Sequence, residues 1–91
     1  MKFFYKPTFL KTFDKLSRKD QELALKTDQL VKEYLNSNKA PFGLRIRQLH
    51  KGIYEARLSD RLRIVWSKEN DEITFALLGN HEEVRRFLKN F

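Results

Sequence analysis

The spacing of apolar residues changes once along the chain. In the first third it follows a helix. Phe9, Leu10, Phe13 and Leu16 fall at i, i+1, i+4 and i+7, one face of a short helix. Ser17 then stands three residues before Asp20, a capping-box pattern. Beyond it Leu23, Thr27, Leu30, Val31 and Tyr34 keep helical spacing, so a helical hairpin is predicted from about Thr8 to Leu35. The short apolar run Lys2-Phe3-Phe4-Tyr5, ahead of Pro7, reads as a strand. The turn-rich stretch from Asn36 to Gly43 closes this half.

From Leu44 onward the period is two. Leu44 and Ile46 alternate with Arg45 and Arg47, and Tyr54, Ala56 and Leu58 with Glu55 and Arg57. Leu62, Ile64 and Trp66 alternate with Arg61, Arg63 and Val65, and "EITFALLG" makes the last strand. "HKG", "SDR" and "KEND" are the intervening turns, short enough to force hairpins and an antiparallel meander. Asn80 as N-cap with Glu83 three residues on starts a final helix carrying Val84, Phe87 and Leu88. The predicted fold is α+β in a single domain over residues 1–91. Its order is N-terminal strand, helical hairpin, four-stranded antiparallel meander and C-terminal helix.

This alternation sorts the sheet into two faces. Leu44, Ile46, Tyr54, Ala56, Leu58, Leu62, Ile64 and Trp66 are expected against the helical hairpin. Arg45, Arg47, Glu55, Arg57, Arg61 and Arg63 are expected together on the other face. Like charges across neighbouring strands repel, so an arginine-rich face costs stability unless an anion occupies it. A solvated outer face is the plainer reading, but such a face would mix Thr, Ser, Lys and Glu.

Charge strengthens the anion reading. The 19 basic residues outnumber 12 acidic ones, for a net charge of +7. That excess suits nucleic acid, an anionic membrane or an acidic protein, or serves solubility alone. Seven of the eight arginines follow Pro41, whereas Lys dominates before it. Arg is the better phosphate fork, so the second half is the expected working half. The absence of cysteine excludes a disulfide scaffold and a thiolate metal site, and fits a reducing cytoplasm. No apolar run approaches the ~20 residues that cross a bilayer, and Pro7 falls where a signal peptide would need its apolar stretch. A soluble, cytoplasmic protein without a membrane partner is expected.

Two distant histidines give no metal-ligand spacing, and the three glycines make no phosphate loop. Nor does any Ser stand in a nucleophile motif. His50 reads as a loop residue. His81 is different. It follows the Asn80 cap at the start of the last helix, where the helix dipole disfavours a charged ring while Glu82 and Glu83 favour it. Such a balance suits a proton-transfer group at the rim of the arginine face, opposite Glu55.

The stretches "YEARLSDRLRIVW" and "ITFALLGNHEEV" resemble the RelE/ParE superfamily, the toxins of bacterial type II toxin–antitoxin pairs. The most specific parts are the strand Arg63-Ile64-Val65-Trp66 and Gly79-Asn80-His81 before the last helix. The resemblance spans the whole chain and implies the RelE-like, microbial-RNase-like fold. Its RelE/YoeB/YafQ-like branch implies an mRNA interferase that cuts codons in the ribosomal A site. The ribose 2′-OH attacks the adjacent phosphate, with no metal and no small-molecule cofactor.

On that resemblance Arg63 stabilises the transition state, Arg57 binds phosphate or shares that role, Glu55 is a candidate base and His81 is the general acid. Arg45, Arg47 and Arg61 guide RNA, and Arg85 adds a phosphate contact. Many members place a catalytic tyrosine after the valine matching Val84; this chain has Arg85 there. Two alternatives therefore stay open: a ParE-like, non-enzymatic inhibitor of DNA gyrase, and a toxin-like binding module without activity. All three imply an acidic antitoxin as partner, and the first adds the ribosome and mRNA.

Overall fold

The computed structural model describes residues 1–39 and 43–90. The chain runs β1 (Lys2–Tyr5), α1 (Pro7–Lys15), α2 (Arg18–Ser37), β2 (Ile46–His50), β3 (Ile53–Arg57), β4 (Arg63–Glu69), β5 (Glu72–Gly79) and α3 (His81–Leu88). Pro7 opens α1 at a position that needs no backbone donor. Ser17 Oγ accepts from the Asp20 amide to start α2, which closes on Asn38 in the left-handed region at φ 59°. Ala40, Pro41 and Phe42, the centre of the expected turn, lie outside the described residues.

The sheet has five strands in the order β1-β5-β4-β3-β2. The meander β2 to β5 is antiparallel, as the hairpins require. The sequence left β1 unpaired. It lies parallel to β5, with Phe3 opposite Ile73 and Tyr5 opposite Phe75. A parallel neighbour needs a long crossover, and the helices with the rest of the meander supply it. Stacking of Tyr5 on Phe75, ring centres 5.0 Å apart, fixes that edge.

α1 and α2 cover one face of the sheet. Beneath them Phe9, Ala24, Val31, Ala56, Ile64, Trp66, Ile73, Phe75 and Leu78 form the main core. The face of α2 that meets the sheet is centred on Ala24, Thr27 and Val31, with Leu23 and Leu30 only half-buried at its edges. Small side chains at Ala24 and Thr27 let the helix approach, a packing preference that a reading by bulk misses.

The other face departs further from expectation. It is not an open arginine surface. α3 folds back over it, and Val84, Phe87 and Leu88 pack on Leu49, Ile53, Val65 and Leu77 as a second core. Two bulges make this possible. Along β5, Trp66 pairs with Phe75 but Val65 pairs with Leu77, so Ala76 is an extra residue. The slip turns Leu78 rather than Leu77 toward the main core. Along β2, Leu49 is the extra residue between Gln48 and His50. His50 consequently ends β2, opposite Ile53, and does not stand in the turn. The "KEND" turn also shrinks, because Lys68 and Glu69 remain in β4 and Asn70, at φ 55°, starts the two-residue loop.

Candidate active site

What α3 leaves uncovered on its face of the sheet is a short polar strip. Arg47 on β2 lies opposite Glu55 on β3, and Arg57 on β3 lies opposite Arg63 on β4. Arg63 in turn lies opposite Gly79 on β5, which has no side chain to crowd it. One residue past the Asn80 cap, the chain brings His81 onto Arg63. The cap is a complete capping box: Glu83 N donates to Asn80 Oδ1 at 2.9 Å and Asn80 N donates to Glu83 Oε1 at 3.0 Å. Strand end and cap therefore fix where the ring starts.

The strip is a chain of contacts. Arg47 reaches Glu55 Oε2 at 3.3 Å, Arg63 Nε stands 3.8 Å from Glu55 Oε1, and Arg63 donates from its terminal nitrogen to His81 Nδ1 at 2.7 Å. A guanidinium has no acceptor, so Nδ1 accepts and the neutral ring carries its proton on Nε2. Glu55 and Arg63 are both buried, at 6% and 8% exposure, whereas His81 and Arg47 are exposed. Neither Glu55 Oε1 nor Arg63 Nε has a hydrogen-bond partner among the described residues. His81 was expected opposite Glu55; Arg63 stands between them.

Outside this chain the arginines divide. Arg45 and Arg57 join Arg47 and Glu55 around a cleft of about 250 Å³. Three arginines thus share the cleft with one carboxylate, leaving a strongly cationic patch suited to phosphate oxygens. Arg57 faces Arg63 directly, a like-charge pair that an anion would relieve. Arg61 does not share the sheet face. It lies in the β3–β4 turn, which Ser59 Oγ organises by accepting from the amides of Arg61 and Leu62. Arg85 is exposed on α3 and pairs with Glu82 at 3.3 Å.

A second cavity, of about 420 Å³, adjoins His81 and is lined by Asp20, Asp60, Arg61, Glu82 and Glu83 among others. The sequence placed Asp20 only as a cap and Asp60 only in a turn. Nothing in local spacing could bring them to His81, because the approach of α2 and the β3–β4 turn is a tertiary event. On the far side of the sheet an apolar groove of about 170 Å³ between α1 and α2 holds Tyr5, Phe9, Phe13 and Leu25. Its polar lining is Tyr5 and Asp28, held to each other by a hydrogen bond of 2.6 Å. Among the described residues no group of three or more His, Asp or Glu is arranged to hold a metal ion, and no helix is long and apolar enough to cross a membrane.

No protein-family model and no curated protein matches the chain. Solved structures do. YoeB from Staphylococcus aureus superposes with a TM-score of 0.68 at 17% identity, over 89% of this chain and 97% of that one. A copper-bound mutant toxin from Helicobacter pylori gives 0.67 at 22% identity, over 92% and 98%. A chain of the RelB–RelE antitoxin–toxin complex from Methanococcus jannaschii gives 0.66 at 17%, over 92% and 96%. The chain has the RelE-type toxin fold. These matches take in 89–92% of this chain and 96–98% of the other chains.

Proposed function

We propose that this chain is the toxin of a toxin–antitoxin pair and acts as an endoribonuclease on mRNA in the ribosomal A site. The observation that carries the reading is the buried Arg63, shared between Glu55 and His81 and flanked by Arg45, Arg47 and Arg57. In the proposed reaction the 2′-OH attacks the adjacent phosphorus and the bond to the 5′ oxygen breaks. Arg63 and Arg57 hold the charge that grows on the phosphorane oxygens. His81 gives a proton to the departing 5′ oxygen, and the 2′-OH proton passes to solvent. Glu55 is a positioning residue: buried and facing two guanidinium groups, it fixes Arg63 rather than meeting the ribose. Arg45 and Arg47 take neighbouring phosphates. The ribosome as the place of action and the antitoxin as partner rest on the resemblance in sequence and fold to RelE-type toxins, one of which is found with RelB.

The test is cleavage in a defined translating-ribosome extract, with mRNA ends mapped by primer extension. Cuts inside A-site codons are expected with the wild type and are lost with His81→Ala and Arg63→Ala. Intact mRNA under conditions where translation elongates would sink the reading. A gyrase supercoiling assay then separates an inhibitor from a binding module without activity.

A further inference from the structure

In the arrangement described above one terminal donor of Arg63 is already taken. Its side chain is 9% exposed, and the exposed His81 ring lies over its terminal nitrogen at 2.7 Å. A phosphate held by both terminal nitrogens of Arg63 competes with Nδ1 for that N–H. The bond also fixes the wrong form of the ring for an acid: with Nδ1 accepting, the ring is neutral, and a neutral imidazole N–H is a very weak acid.

We propose that His81 is a cap on Arg63, displaced by the incoming phosphodiester, and that displacement is what lets the ring take up its proton. This rests on reading the strip as a phosphodiester site. A phosphate oxygen replaces Nδ1 as the acceptor for Arg63. The freed Nδ1 lone pair then binds a proton from solvent, giving the imidazolium beside an anion that favours it. One N–H···N bond breaks, one N–H···O bond forms and one proton enters the site. The acid is thus charged by the substrate it serves, and a resting toxin carries it uncharged.

The groups lining the cavity beside His81 favour uptake once the ring has left Arg63. Asp20 from the start of α2, Asp60 in the β3–β4 turn and Glu82 and Glu83 on α3 line the cavity beside the ring, against Arg61 alone. In the resting arrangement Arg63 opposes them through a direct bond. His81 is the first residue of α3 and lines that cavity, so the ring can leave Arg63 while the backbone stays held by the capping box.

The experiment is nitrogen-15 NMR of the imidazole rings in histidine-labelled full-length protein, with the His81 signals assigned by their loss in His81→Asn. In the free wild type near neutral pH, Nδ1 is expected unprotonated and the proton on Nε2. Adding an uncleavable single-stranded RNA oligonucleotide with 2′-O-methyl riboses is expected to move Nδ1 into the protonated range, with net proton uptake in calorimetry across buffers of different ionisation heat. In Arg63→Met the free ring is expected to lose its fixed tautomer. A free wild-type ring with its proton on Nδ1 overturns the cap whether or not that variant folds. Oligonucleotide binding with Nδ1 unchanged overturns the coupling while leaving the RNA reading intact. A fixed Nε2–H tautomer with no oligonucleotide binding overturns the phosphodiester reading and leaves only the resting contact.

Discussion

Glu55 Oε1 and Arg63 Nε face each other at 3.8 Å, within ion-pair range but beyond hydrogen-bond length, and both are sealed from solvent. Such a pair is costly to bury and costlier to break. Glu55→Leu should leave Arg63 as an unpaired buried cation and destabilise the fold by about 3 kcal/mol or more. Adding Arg63→Met should recover most of that loss, because an apolar pair of similar volume avoids desolvation. Urea unfolding of the two variants measures both effects. Equal stability of the single and double variants would mean the pair is not coupled.

Gly79 lies opposite Arg63, and a Cβ built on it would stand 3.0 Å from Glu83 Cβ and 3.1 Å from Glu83 Oε1. Glu83 is the return limb of the capping box, so it cannot yield without loosening the start of α3. Gly79→Ala should therefore cost about 1–2 kcal/mol and shift the His81 ring signals. Retained melting temperature with unchanged His81 signals would show that the α3 start adapts freely.

Much of this site was legible from residues alone, and the limits have physical causes. Local signals located Ser17 and Asn80 as caps, "EITFALLG" as a strand, and His81 at the rim of the face that carries Arg63, though opposite Glu55. Local signals fail where tertiary packing decides. The bulge at Ala76 breaks strict alternation and turns Leu78 inward. The partnership of β1 with β5 spans nearly the whole chain, and no short-range pattern records it. Arginine at alternate positions said nothing of depth, and Arg63 and Glu55, expected on an open arginine-rich face, are in fact buried. The bond from Arg63 to His81 depends on where α3 lands, which the capping box starts but does not determine.

On the other face, Tyr5 donates to Asp28 Oδ1 at 2.6 Å and Lys32 Nζ lies 3.1 Å from Asp28 Oδ2, tying α2 to β1. The Lys32 ammonium also lies over the rings of Phe3 and Tyr5, at 5.3 and 5.1 Å. Burial, then the bond to Asp28, raises Tyr5 above its ordinary value of 10.0. Burial pushes Lys32 down from 10.5, but its bonds to Tyr5 and Asp28 outweigh that and raise it. Both groups hold a proton more tightly folded than unfolded. Their contribution is therefore complete below about pH 10 and is lost as pH rises through the folded-state values. Thermal melts should fall steeply above about pH 10, and Tyr5→Phe should flatten that limb while lowering stability at neutral pH by about 1–2 kcal/mol. An alkaline limb identical in wild type and variant would remove Tyr5 from the account.

Arg57 separates RNA binding from fold stability more cleanly than any other strip residue. It faces Arg63 across the β3–β4 pair, lines the cationic cleft, and has no carboxylate within ion-pair distance among the described residues. Removing its charge should relieve repulsion, so Arg57→Ala should melt no lower than wild type, or slightly higher. If a phosphate occupies the cleft, the same substitution should weaken binding of single-stranded RNA and lower the slope of log affinity against log salt by about 0.7. Arg18→Ala, on the fully exposed start of α2, should leave both unchanged. Fluorescence anisotropy with a labelled oligonucleotide over a salt series reads the slope directly. A slope lost equally in both variants would mean that diffuse charge, and not the cleft, holds the RNA.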